Sequence, residues 1–104
     1  MPRAYTRLTE AELADALREL PGWRVTSGEL TARFTVSRAE LPSLYREINR
    51  AEDAADHHAR ITVLHTTLTV AVNTHAANGA LTTHDTALAR EVTRIAGAHG
   101  AAAA

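Results

Sequence analysis

Two stretches of this chain alternate between apolar and polar residues with a period of two. The first spans residues 30–36 and the second residues 67–72. Such alternation is typical of strands that bury one face and expose the other. A sheet with one apolar face must cover that face, so the pattern predicts an antiparallel sheet that packs against helices.

Three segments with apolar residues at helical spacing lie around these strands. Thr9 and Glu12 form a candidate capping box for the first helix, which Pro21-Gly22 ends. The second helix is expected to begin between residues 38 and 42 and to end near Asp56. Thr82 or Thr83 is expected to cap the third helix.

The remaining elements complete a predicted order of α-β-β-α-β-β-α. Residues 23–25 form a short candidate strand, and residues 61–73 are too long for one strand, so a turn is expected near Thr66. The order predicts an α+β fold, a four-stranded antiparallel sheet with helices packed on one face. We expect one domain over residues 1–104, with a core from about 9 to 96 and a frayed tail from 97 to 104.

Composition excludes several classes of function. The 104 residues carry a net charge of −1 and no cysteine, so nothing favours nucleic acid or a membrane as a partner, and disulfides and thiolate metal sites are excluded. The chain shows no apolar run of membrane-spanning length and no signal-peptide core, which predicts a cytoplasmic protein. A Gly-rich phosphate loop and a nucleophile elbow are also absent from the sequence.

The chemistry-bearing residues cluster at element ends. His57 and His58 follow Asp53 and Asp56 at the predicted junction of the second helix and the next strand, and His75 follows the strand region. Imidazole titrates near neutral pH, so converging histidines can both give and take protons. The carboxylates could orient the rings or fix their tautomers.

Other interpretations of the histidines stay open at this point. His65 is expected to pack on a strand, and His84 and His99 are expected to have no chemical role. A metal site built from the three candidate histidines and a nearby aspartate is a further hypothesis, although the familiar zinc spacings are absent.

Several motifs together give a resemblance to a known family. They are Leu20-Pro21-Gly22-Trp23, the strand around Phe34, Asp53 followed by Asp56-His57-His58, Thr74-His75, and Asp85 followed by Leu88-Ala89. Over residues 9–95 the chain resembles the pterin-4a-carbinolamine dehydratases. The resemblance implies a cytoplasmic lyase that dehydrates 4a-hydroxytetrahydropterin to quinonoid dihydropterin, in recycling of a tetrahydrobiopterin-type cofactor. It implies a homodimer or homotetramer, with no metal, no cofactor, no nucleic acid bound directly and no membrane.

The resemblance also implies roles for individual residues. The expected catalytic residues are His57, His58, His75 and Asp85. The expected substrate-binding residues are Trp23, Asp53, Asp56 and Thr74. Of the catalytic group, His57 and His75 are expected to handle protons and His58 to position the pterin.

The chain departs from the family pattern at two positions that bear on function. Proline usually follows the histidine pair, and this chain has Ala59, which loses the stiffness that proline gives a turn. His65 stands where the family has a strand aromatic. These departures motivate an alternative hypothesis, a dehydratase-like binding or assembly module without turnover.

Overall fold

The computed structural model describes residues 5–104, and its elements follow the predicted order with one addition. The elements are α1 (Glu10–Arg18), β1 (Arg24–Thr26), β2 (Glu29–Thr35), α2 (Leu41–Ala55), β3 (Arg60–Leu64), β4 (Thr67–Val72), α3 (Thr83–Ala98) and β5 (Ala102–Ala103). A single turn of 3₁₀-helix, His75–Ala77, follows β4. The α+β class is confirmed.

The sheet is antiparallel throughout, with strand order β1-β2-β4-β3 and β5 paired to β2. In the central pair, Leu30 lies opposite Val72 and Phe34 lies opposite Leu68. These side chains share one face, which is fully or almost fully buried. The opposite face carries mainly threonine and arginine, so the predicted alternation sorts the two faces correctly.

Helices α2 and α3 supply most of the cover over the buried face. Leu44 and Ile48 of α2 and Val92 of α3 have no exposed surface and belong to one core with the sheet residues. The predicted capping box at Thr9 and Glu12 is present, with both reciprocal hydrogen bonds formed. No helix within residues 5–104 combines the length and the apolar character that a membrane crossing requires.

The expected turn at Thr66 is present, but His65 belongs to the turn and not to a strand. The pairing of Leu64 with Thr67 leaves His65 and Thr66 as a two-residue hairpin loop. His65 has a φ of 52°, is exposed, and accepts a hydrogen bond from Arg38 through its carbonyl oxygen. The prediction that His65 packs on a strand is therefore wrong.

The predicted frayed tail is also corrected. Helix α3 continues to Ala98, and Ala102–Ala103 then pairs with the end of β2. The Ala104 N–H donates to the Arg33 carbonyl at 2.9 Å. Strand β1 pairs only with the first part of β2, so this edge of β2 has free backbone groups that the tail can satisfy. The sheet therefore has five strands where four were predicted.

Trp23 lies in the core, where its ring meets Phe34 edge-on with centroids 6.2 Å apart. The indole N–H donates to Thr93 Oγ1 of α3 at 2.8 Å. A buried tryptophan N–H needs such a partner, because an unsatisfied buried donor is costly. This hydrogen bond ties the segment before β1 to α3.

Replacing Thr93 with Val tests this bond. The change keeps the shape of the side chain and leaves the indole N–H without its acceptor, so the free energy of unfolding should fall by about 1–3 kcal/mol. Urea denaturation followed by circular dichroism measures the loss. Thr35→Val makes the same change on the exposed sheet face and should stay within about 0.5 kcal/mol of the wild type. Equal effects of the two variants would contradict the assigned role.

Candidate active site

A cavity of about 280 Å³ lies where α2 meets β3 and where β4 meets the 3₁₀ turn. Its volume is close to the lower end of the range for small-molecule sites, about 300–1,000 Å³. The three histidines predicted from the sequence all line it. The full lining consists of Tyr5, Asp56, His57, His58, Asn73, Thr74, His75 and Ala76.

The end of α2 delivers the histidine pair to this cavity. Asp56 adopts a left-handed conformation with φ of 50°, which stops the helix and turns the chain. The His57 N–H then donates to the Glu52 carbonyl at 3.0 Å. As a result His57 turns inward and is 8% exposed, while the neighbouring His58 is exposed.

His57 makes a short hydrogen bond with a buried carboxylate. Its Nε2 lies 2.6 Å from Oδ1 of Asp85, which is fully buried in the first turn of α3. Asp85 does not itself line the cavity, so it acts on the cavity through His57. An acceptor on one ring nitrogen fixes the tautomer of the other. When the ring is neutral and Nε2–H donates to Asp85, Nδ1 is left with the lone pair.

Two threonines hold the other oxygen of Asp85. Oδ2 accepts from the Thr74 hydroxyl and from the Thr82 N–H, each at 2.8 Å. Because Thr74 donates to Asp85, the 2.7 Å contact between the two hydroxyls must have Thr82 as donor. The Thr82 hydroxyl in turn accepts the His84 N–H at 3.2 Å. Each donor in this series of hydrogen bonds has one acceptor. The orientation of Asp85 is therefore strongly determined.

The second predicted pair, His58 with Asp53, is of a different kind. Their side chains approach to 3.1 Å and are 58% and 76% exposed. Exposed ion pairs and hydrogen bonds compete with water and contribute little. Asp53 therefore steers the His58 ring weakly, whereas Asp85 holds His57 firmly.

His75 is exposed at the start of the 3₁₀ turn, and Asp56 is exposed at the end of α2. Both line the cavity with His57 and His58. The structure thus gathers His57, His58, His75, Asp56 and Thr74 around one cavity. It places Asp85 behind His57 and Asp53 beside His58.

Trp23 is the exception among the predicted site residues. It does not line the cavity, it is 6% exposed in the core, and Thr93 already occupies its N–H. Its aromatic ring completes the packing around Phe34, which explains its burial without a ligand. The structure therefore shows Trp23 as a residue of the core, and its expected role in substrate binding stays a prediction.

Sequence reasoning missed two aromatic side chains at the site, His84 and Tyr5. The rings of His84 and His57 have centroids 5.8 Å apart, and the ring of Tyr5 lies 4.9 Å from that of His84. Tyr5 also lines the cavity. The position of His84, directly before the buried Asp85 at the start of α3, is the sequence signal that could have indicated its place beside the site.

The histidine cavity is not the largest concavity of the fold. An open groove of about 470 Å³ lies between α1 and α3. It contains no histidine, so it lacks the side chain that titrates near neutral pH. Its lining consists of Leu8, Glu12, Asp15, Ala16, Glu19, Thr83, Thr86, Ala87 and Arg90.

The metal hypothesis finds no candidate cluster in the structure. Within residues 5–104, no group of three or more histidine, aspartate or glutamate side chains has the arrangement that could hold a metal ion.

Comparison with known proteins gives a consistent result over most of the chain. The family model for pterin 4 alpha carbinolamine dehydratase matches residues 6–95. A Streptomyces coelicolor protein whose name assigns it to these dehydratases is 35% identical over 95 residues, covering 90% of this chain and 94% of its own length. A similarly named protein of Chloroflexus aurantiacus is 33% identical over 94 residues, covering 88% of this chain and 98% of its own.

The fold is likewise similar to a solved structure. The crystal structure of a transcriptional coactivator/pterin dehydratase from Brucella melitensis superposes with a TM-score of 0.81 at 28% identity. The match covers 88% of this chain and 99% of the Brucella chain.

The bond between His57 and Asp85 predicts the tautomer of His57. At a pH where the ring is neutral, its proton should lie on Nε2, which nitrogen-15 NMR of the imidazole distinguishes from the Nδ1 form. Asp85→Asn removes the carboxylate acceptor and should perturb this signal. Asp53→Asn, which touches only His58, is the control and should leave it unchanged. An Nδ1–H signal for His57 in the wild type would contradict the network.

Proposed function

Because the chain belongs to the pterin 4 alpha carbinolamine dehydratase family, we propose that it dehydrates 4a-hydroxytetrahydropterin to quinonoid dihydropterin. The observation that carries the proposal is the buried bond between His57 and Asp85 at a cavity that two further histidines line. The reaction would serve recycling of a tetrahydrobiopterin-type cofactor in the cytoplasm. No metal or cofactor takes part in the proposed steps.

The proposed reaction needs two proton transfers and no redox step. The C4a–O bond breaks, the hydroxyl leaves as water after gaining a proton, and the N5 proton is lost as the C4a–N5 double bond forms. Positioned imidazoles can deliver and remove such protons near neutral pH, each contributing about 10²–10⁴-fold.

The surroundings of the site residues support a proposed role for each. We assign His57 as the general base at N5, since Nε2 is bound to Asp85 and Nδ1 remains to accept a proton. His75, exposed on the cavity rim, then serves as the acid for the leaving hydroxyl. His58 positions the pterin with support from Asp53. Asp85 is a positioning residue because it does not line the cavity and acts through His57 and Thr74, which do.

Two further side chains have proposed roles in binding. Asp56 is exposed on the lining and can accept hydrogen bonds from the amino and ring N–H groups of a pterin. The Thr74 hydroxyl is already committed to Asp85 and Thr82. We therefore propose that Thr74 supports the site through Asp85, with its contribution to the cavity wall secondary.

Single histidine replacements test these assignments. His57→Ala and His75→Ala should each lower kcat by about 10²–10⁴-fold, because each removes one proton transfer. His58→Ala should mainly raise KM. The measurement is the dehydration of freshly made carbinolamine, followed by ultraviolet absorbance.

The matched control is His65→Ala, which removes an exposed histidine in the hairpin turn and should leave the rate unchanged. A wild-type protein that does not exceed the uncatalysed rate, with His57→Ala and His75→Ala no slower, would refute the dehydratase proposal.

A non-catalytic binding or assembly module is the second candidate. The name of the Brucella melitensis protein, which combines coactivator and dehydratase, motivates it together with Ala59 and His65. Calorimetry with a dihydropterin separates the two candidates. Absence of pterin binding, together with a stoichiometric protein partner in the purified sample, would favour the module over the enzyme.

We also propose that the chain forms a homodimer or homotetramer. Strand β3 is an outer strand of the sheet, and its Val63 and Leu64 are 42% and 77% exposed. Exposed edge strands with apolar side chains favour pairing with another chain.

Light scattering tests the assembly. At micromolar concentration the mass should exceed the 11.2 kDa of one chain, and Val63→Lys should lower it by placing charges at the edge. Tyr45→Lys, at a similarly exposed position on helix α2 and not on a sheet edge, is the control. A wild-type mass equal to that of one chain would contradict self-association.

A further inference from the structure

Glu52 is a buried carboxylate that the proposed reaction does not use. It lies in the last turns of α2 and is 4% exposed, although most residues of that helix near it are exposed. Carboxylates are almost never buried this deeply without a partner, because desolvation of the charge is costly. The partner here is a backbone group: Oε2 accepts the Ala59 N–H at 2.7 Å.

The same residue holds the other side of the histidine pair. The Glu52 carbonyl accepts the His57 N–H at 3.0 Å. The residues on both sides of the His58 backbone are therefore bound to Glu52, one through its main chain and one through its side chain. Together these bonds close the segment 52–59 into a loop around the left-handed Asp56.

The donor in this loop depends on the identity of residue 59. Proline has no N–H, so it could not make the bond that Ala59 makes. Proline would instead restrict the turn through its ring, which lowers the conformational freedom of the unfolded chain. In this chain a hydrogen bond to a buried carboxylate takes the place of that restriction.

We propose that Glu52 is a positioning residue that fixes His57 and His58 for the reaction. Its side chain accepts the Ala59 N–H, a bond that we call the latch, and this fixes the path of the backbone through His58. Its carbonyl accepts the His57 N–H and fixes the backbone at His57. Asp85 orients the His57 ring, and Glu52 orients the backbone that carries it. The effect on catalysis rests on the proposed dehydratase function. The effect of Glu52 on the backbone of residues 57–59 does not depend on that function.

Four variants test the latch. Glu52→Gln keeps an oxygen that can accept from Ala59, whereas Glu52→Leu removes the acceptor of the partly buried Ala59 N–H. Ala59→Pro removes the donor and leaves the carboxylate buried without it. The double variant Glu52→Leu/Ala59→Pro removes both groups together. Glu47→Leu, which changes a glutamate of α2 that binds Arg50 at the surface, is the control.

Two measurements are made on each variant. One is amide hydrogen exchange at residues 57–59, limited to His57 and His58 where residue 59 is proline, and the other is kcat/KM for carbinolamine dehydration. Glu52→Leu should speed exchange at Ala59 at least tenfold and lower kcat/KM by about 10²-fold, since small misplacements of reacting groups have effects of this size. Glu52→Gln should stay within about threefold of the wild type in both measurements, because it retains the acceptor. The double variant should have a higher kcat/KM than either Glu52→Leu or Ala59→Pro alone, because it leaves neither the acceptor nor the donor without its partner.

Each adverse result has a distinct meaning. Unchanged exchange in Glu52→Leu would refute the latch itself. Faster exchange with unchanged kcat/KM would refute its role in positioning. If Glu52→Leu fails to fold, the double variant is compared with Ala59→Pro. A kcat/KM of the double variant no higher than that of Ala59→Pro would overturn the proposal. An inactive wild type would refute the proposed function, and the exchange measurement would still decide whether the latch exists.

Discussion

The arrangement of the site depends on the burial of Asp85. A carboxylate without solvent must satisfy its oxygens from within the protein, and Asp85 does so with Thr74, the Thr82 N–H and His57. These three donors come from the end of β4, the start of α3 and the segment after α2. One buried group thus joins the three segments that surround the cavity. Loss of any donor would leave the buried carboxylate with fewer hydrogen bonds, so the network links the stability of the fold to the geometry of the site.

Much of the fold was predictable because local signals and tertiary packing agree. The alternation at residues 30–36 and 67–72 predicted the two central strands, and their apolar residues do face the helices. The capping box at Thr9 predicts the start of a helix from four neighbouring residues alone. Thr82 is a second such case, and there the N3 partner is Asp85, so one residue serves both the helix and the site.

What the sequence could not predict depends on contacts between distant residues. An alanine tail has no strand signal, and it becomes β5 only because the edge of β2 is free beside it. Trp23 lies in the core, where its ring packs against Phe34 and its N–H binds Thr93, seventy residues later. The three histidines were identified from their types and spacing. Their different environments, with His57 buried and His58 and His75 exposed, follow from the turn at Asp56 and from the location of Asp85.

The left-handed turn at Asp56 also determines how a ligand reaches the site. Because the helix ends there, Asp56 and His58 face the solvent, and His75 faces it from the 3₁₀ turn across the cavity. A planar molecule can therefore arrive and leave along an open border without displacing a helix or a strand. For the proposed reaction, residues 5–104 therefore place no slow opening of the scaffold before binding, and turnover is limited by the chemical steps or by diffusion.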